Sequence, residues 1–129
     1  MIDHMGIAVS DIVKSRAFYD AALGALDMKV NMEVGGDETA SGGTALGYGR
    51  DDDKIFWIAD GERPGEGTHV AFRADSKDQV QAFYDAALQA GGRDNGAPGP
   101  RPHYGPDYYA AFVYDSDGAN IEAVAYVKD

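Results

Sequence analysis

AFYDAAL stands at residues 17–23 and again at residues 82–88, and this repetition decides how the rest of the chain is read. The copies are offset by 65 residues, from 17 to 82, and the same offset carries His4 onto His69. Each histidine opens a short apolar run, HMGIAV in the first case and HVAF in the second. A seven-residue identity in register with a matched histidine marks two copies of one unit. Module 1 covers about residues 1–60 and module 2 about residues 66–129. The period is too long and the count too low for a solenoid. Two units that each carry an open sheet would bury their exposed faces by pairing.

Working outward from the repeat, residues 2–9 alternate as a strand, with Met5, Ile7 and Val9 on one face and His4, Gly6 and Ala8 on the other. Ser10 or Asp11 caps a helix that runs to about Leu23 or Ala25, with Gly24 near its stop. Strands are expected at 28–34, 44–49 and 55–59, with a glycine-rich loop at 35–43 and a turn at 50–54. After a linker at 60–67, THVAFRA is the first strand of module 2. Ser76 and Gln79 form a capping box for the second helix, which ends at Gly91-Gly92. Residues 93–106 read as irregular, with at most a short strand at their start. Strands follow at 108–114 and 120–127, joined by the DSDG turn. The expected order is βαβββ twice, an α+β fold.

The 129 residues suit one domain. With no cysteine, disulfides, thiolate ligands and cysteine nucleophiles are excluded. A net charge of −11 argues against nucleic acid, which needs clustered Lys and Arg. No membrane span or secretory apolar segment is read, since the opening stretch is broken by Asp3, His4 and Asp11, and the expected location is cytoplasmic.

The alternation also aims the chemistry. Both histidines point away from the face that suits packing under a helix. In the last strand Ile121, Ala123 and Ala125 share one face, and Asn120, Glu122 and Val124 share the other. A carboxylate buried in such a strand costs several kcal/mol unless paired or bound to a cation, roughly the penalty of an uncompensated charge. His4, His69 and Glu122 meeting on one concave face would supply two imidazoles and a carboxylate, the ligand chemistry of a divalent metal with open positions for substrate. Taken singly, a strand histidine is more often structural than a ligand; the matched positions are what favour ligation.

The stretches IDHMGIAVSD, KSRAFYDAAL, THVAFRA and YDSDGANIEAV resemble the vicinal oxygen chelate superfamily. That group includes glyoxalase I, extradiol dioxygenases, and fosfomycin- and bleomycin-resistance proteins. The resemblance covers essentially the whole chain. It implies paired βαβββ modules curled into a curved, partly open mixed-sheet barrel with helices outside, one divalent ion (Zn, Ni, Mn or Fe), a small-molecule substrate and a homodimer. It places the metal ligands on His4, His69 and Glu122. The fourth glyoxalase ligand, a glutamate, falls on Trp57, so the pattern departs from that enzyme. A two-carboxylate proton relay is then unavailable, and the base is sought in Glu122, His103 or a tyrosine, taken as Tyr109. Trp57 is read as an aromatic wall against an apolar or planar substrate.

The loop PGPRPHYGPDYY (98–109) concentrates Arg101, His103, Tyr104, Tyr108 and Tyr109, and Arg73 shares the face of His69. Arg73, Arg101 and Tyr104 are candidates for holding substrate. Three readings stand open: a metal-dependent glyoxalase-like enzyme acting on a small carbonyl or thiol conjugate, an Fe(II) dioxygenase-like enzyme, and a metal-free binding protein of the bleomycin-resistance kind.

Overall fold

The computed structural model describes residues 1–128. Module 1 comprises β1 (Met5–Ala8), α1 (Ile12–Gly24), β2 (Lys29–Val34), a 3-10 turn (Gly36–Glu38), β3 (Ala45–Gly49) and β4 (Phe56–Ala59). Module 2 comprises β5 (His69–Arg73), α2 (Lys77–Gln89), β6 (Arg93–Pro100), β7 (Tyr108–Tyr114) and β8 (Asn120–Tyr126). Each forms a four-stranded mixed sheet, ordered β1-β4-β3-β2 and β5-β8-β7-β6. The pairs β1/β4 and β5/β8 are parallel, and the others are antiparallel. The 65-residue offset maps onto strand register: Trp57 pairs with Gly6 and Gly47, and Glu122 pairs with Ala71 and Phe112. Among the described residues no strand of one sheet pairs with the other, so the two sheets do not close on each other.

The helix starts obey local chemistry. Asp11 Oδ1 accepts from the backbone N–H of Val13 and Lys14, both at 3.1 Å. Ser76 Oγ accepts from Gln79 N at 3.1 Å, while Gln79 Oε1 accepts from Asp75 N at 2.8 Å, one residue before the cap. Both devices satisfy backbone donors that a helix leaves unpaired. No helix among the described residues is long and apolar enough to cross a membrane.

A single apolar core spans both modules. Phe18, Tyr19 and Leu23 of α1 and Phe83 of α2 are fully buried, and Phe56 of module 1 meets Phe72 of module 2 edge-on at 5.0 Å. Each such side chain contributes roughly 1.5–3 kcal/mol by leaving water. A polar clasp joins the modules as well. Tyr19 donates to Asp115 Oδ2 at 2.5 Å, and Asp115 Oδ1 takes the N–H of Asp117 and of Ala119. Asp117 in turn accepts from the hydroxyl and the backbone N–H of Ser10. The DSDG turn is thereby fastened to the start of α1. Burial, and then the Asp115 carboxylate, push the Tyr19 phenol well above its usual range.

The expected irregular segment after α2 is corrected: residues 93–100 form the eight-residue strand β6. RDNGAPGP lacks alternation because its pairing slips twice, between Asp94 and Gly96 and between Gly96 and Gly99. It is an edge strand, so its two prolines cost the ladder little.

Candidate functional site

The helices cover one side of each sheet, and the opposite faces carry the candidate chemistry. On module 2, His69, Ala71 and Arg73 of β5 lie beside Glu122 of β8, which is paired with Phe112 of β7. Glu122 is 1% exposed. Its Oε1 meets His69 Nε2 at 2.8 Å, and its Oε2 accepts a hydrogen bond from the Tyr108 hydroxyl. Both carboxylate oxygens are therefore engaged, which offsets the cost of burying the group. The His69 side chain is 48% exposed, so the pair is covered on one side and open on the other. Burial, and then the hydrogen bond to Glu122, push the Tyr108 phenol upward and keep it a donor.

Module 1 presents a different face. Trp57 lies between Gly6 of β1 and Gly47 of β3. A Cβ on Gly47 would come within 2.8–2.9 Å of three atoms of the indole ring. Near-equal distances to three ring atoms mean that the indole lies flat over Gly47, and only glycine permits it. Above this floor is an open cavity of about 620 Å³, lined also by His4, Ile7, Val34, Glu38, Ala59 and Glu62. Its size suits a drug-sized ligand. His4 precedes β1 and is exposed, its Nδ1 held at 2.7 Å from Asp3 Oδ1.

The remaining expected residues fall as follows. Tyr104 stacks between His103, at 4.1 Å, and Tyr108, at 5.3 Å. Tyr108 in turn meets Tyr126 at 5.4 Å, and the Arg73 guanidinium sits 4.6 Å over the Tyr126 ring. His103 stands at the far end of this ladder from Arg73 and, among the described residues, makes no hydrogen bond to Glu122. Arg101, expected to hold substrate, instead spends its guanidinium on the carbonyls of Ala97, Gly99 and Pro100 and covers the Phe112 ring. It stabilises the irregular end of β6. Tyr109, expected as a base, packs against the core on the helix side, because one step along a strand reverses the face. The residue that reaches Glu122 is its neighbour Tyr108. The alternation that selected Glu122 could have selected Tyr108 too, since Tyr108, Ala110 and Phe112 share a face.

The fit to a divalent ion is partial within one chain. Two imidazoles and a carboxylate are suitable donors. Only His69 and Glu122 converge, however, and they bond to each other. Among the described residues no group of three or more His, Asp or Glu side chains is placed to hold a metal. His4 lines the cavity of module 1 and is not grouped with His69 and Glu122.

Comparison with known proteins places the chain in context. The model of one family, the Glyoxalase/Bleomycin resistance protein/Dioxygenase superfamily, matches residues 1–123. No curated protein matches in sequence. The chain is similar to a crystal structure of a glyoxalase/bleomycin resistance protein from Albidiferax ferrireducens T118, at 31% identity and TM-score 0.74 over 95% of this chain and 96% of that one. It shares its fold with a V278E mutant of glyoxalase I from Zea mays, at 22% identity and TM-score 0.74, over 95% of this chain but 45% of that one. It shares its fold also with a glyoxalase/bleomycin resistance protein/dioxygenase family enzyme from Burkholderia phytofirmans PsJN, at 18% identity and TM-score 0.69, over 98% of both chains.

Proposed function

The chain belongs to the glyoxalase/bleomycin resistance protein/dioxygenase superfamily, and on that premise we propose that it is a divalent-metal-dependent, glyoxalase-like enzyme of the cytoplasm. It acts on a small carbonyl or thiol-conjugate substrate as a homodimer. His4 of one copy and His69 and Glu122 of another complete the metal site. The observation that carries this reading is the half-site of module 2: a fully buried Glu122 joined to a half-exposed His69, on the same face and at the positions the repeat equates with Trp57 and His4. The cysteine-free composition accords with a reducing compartment.

A bound divalent ion would stabilise negative charge developing on a substrate oxygen. The rest falls to the chain. Tyr108 holds Glu122 Oε2, and Oε1, which meets His69 Nε2 at 2.8 Å, is the oxygen that would leave that contact to take a proton from substrate and return it. With Trp57 at the equivalent position of module 1, one carboxylate does both transfers. Trp57 and its cavity receive the unreactive part of the substrate.

The test is complementation. Metal affinity is measured for His4→Ala, His69→Ala and Glu122→Ala, and for mixtures of the His4→Ala and Glu122→Ala chains. In a mixed dimer one intact site reappears if His4 acts across the interface, and none reappears if all ligands come from one chain. Full metal affinity in each single variant would refute the ligand assignment. Hemithioacetal turnover assays the reaction, and Trp57→Glu is expected to raise it by restoring a carboxylate. Oxygen uptake with catechols in place of that turnover would favour the Fe(II) dioxygenase reading. A second reading, a metal-free binding protein, is favoured by one observation: the open cavity of about 620 Å³ lies on module 1, and Glu122 does not line it. Absence of metal binding in the wild type would select it.

A further inference from the structure

We propose that the module 1 cavity recognises a flat organic cation, stacked on Trp57 with its positive charge toward Glu38 and Glu62. The proposal rests on the reading of Trp57 as part of the substrate site and deepens it by naming the class of molecule.

The floor supplies the shape preference. The indole lies so close over Gly47 that a side chain there would collide with three of its ring atoms, so it spreads along the sheet as a platform rather than standing up from it. Trp57 is half-buried, and its free side lines the cavity. An aromatic face of this kind favours a planar partner, and its negative quadrupole favours a cationic one.

The walls supply the charge preference. Glu38 and Glu62 line the cavity, and no lysine or arginine among the described residues does. Neither glutamate takes part in an ion pair among the described residues. Both belong to segments that follow the C-terminal ends of parallel-running strands, Glu38 after β2 and Glu62 after β4, so they gather at one end of the cavity. His4 precedes β1, which runs parallel to β4, so His4 stands at the opposite end. Four residue steps along a strand separate the His4 level from the far end of β1, about 13 Å at the usual rise. The cavity is thus polarised lengthwise: the candidate ligand histidine at one end, two unpaired carboxylates at the other, and an indole between. A molecule that fits it has a ring body and a basic group at the end remote from the reacting atoms.

Trp57 is the single tryptophan, so its fluorescence reports on this floor alone. The full-length protein, stripped of metal with a chelator, is titrated with three isosteric ring systems: proflavine (cationic), acridine (uncharged) and acridine carboxylate (anionic). Binding is read by calorimetry and by quenching of Trp57. Proflavine should bind tightest, with acridine roughly fivefold weaker, as expected for two exposed ion pairs, and acridine carboxylate weakest. Raised salt should narrow the difference. In a Glu38→Gln, Glu62→Gln double variant, proflavine should lose most of its advantage over acridine and keep only the part the indole face supplies. Equal binding of proflavine and acridine to the wild type, unchanged proflavine affinity in the double variant, or no binding of any probe would each overturn the proposal. Metal titration of the same proteins separates the two readings. Metal binding without a cation preference refutes the ligand class alone, whereas a cation preference without metal binding refutes the metalloenzyme and leaves the ligand class standing.

Discussion

Across the middle of module 1 the residues on β1, β4 and β3 are Gly6, Trp57 and Gly47; across the middle of module 2, on β5, β8 and β7, they are Ala71, Glu122 and Phe112. The backbone register is the same, and the chemistry is inverted. In module 1 the inner parallel strand carries the large aromatic group, and its neighbour Gly47 lacks the Cβ that would collide with the flat ring. In module 2 the inner strand carries a carboxylate, and the neighbours must supply polar partners, His69 and Tyr108. A duplicated frame can therefore hold two unlike faces, one that lays an aromatic ring flat and one that buries a hydrogen-bonded carboxylate. The two exchanges are unequal: an indole at 122 would meet Phe112, whereas a carboxylate at 57 would find two glycines and the open cavity.

The harshest way to break this contrast is to remove the carboxylate. Glu122→Ala should lower metal affinity by more than about 100-fold, beyond the effect of losing a group that only touches a ligand. Calorimetric titration of the folded variant measures it. The same experiment on Tyr108→Phe sharpens the contrast: at the proposed metal site Tyr108 would position Glu122 without being a ligand itself, so affinity should fall about 10- to 100-fold. A Tyr108→Phe protein with wild-type affinity would show that His69 and the strand backbone suffice to place Glu122.

The twin heptapeptides offer a smaller break. Tyr19 and Tyr84 occupy the same place in AFYDAAL, yet Tyr19 is fully buried and bonds to Asp115, whereas Tyr84 bonds to Asp94 at the surface. Tyr19→Phe removes a donor from a buried carboxylate and should cost about 1–3 kcal/mol of unfolding free energy. Tyr84→Phe should leave the urea midpoint where it was. Equal losses would mean that the Asp115 clasp does not hold the modules together.

These pairs also mark what the sequence could reveal. The repeat disclosed βαβββ twice, and its offset carried β1 onto β5 and β4 onto β8 with their register intact. Carried further, it would have found β6, because β2 shifted by 65 residues covers 94–99; the glycines and prolines there obscured a bulged edge strand. Alternation placed Glu122 beside His69. It could not decide whether His4 joins them, because that depends on how the two sheets sit in space, and strand periodicity carries no information on that. Nor could it foresee Arg101 turning back onto its own loop, since three carbonyls freed by an irregular strand leave no trace in residue type.

The mildest test concerns the clasp and needs only alkali. Burial raises the Tyr19 phenol well above its ordinary value of 10.0, and burial also raises Tyr48, which donates to Asp20. Below about pH 10 both phenols are protonated whether the chain is folded or not, so they give stability no slope. Above that point the unfolded chain releases these protons and the native protein keeps them. The unfolded state then binds fewer protons, and stability must fall as pH rises, by at most about 1.4 kcal/mol per pH unit for each group. The stabilisation from the raised phenols is thus fully present below pH 10 and is lost through the alkaline range. Urea titrations at fixed protein concentration should give a level unfolding free energy up to about pH 9 and a decline beyond it. Tyr19→Phe should start lower and decline less steeply, because one of the retained protons is gone. A variant that declines as steeply as the wild type would place the alkaline sensitivity outside the clasp and leave the buried Tyr19–Asp115 bond as packing alone.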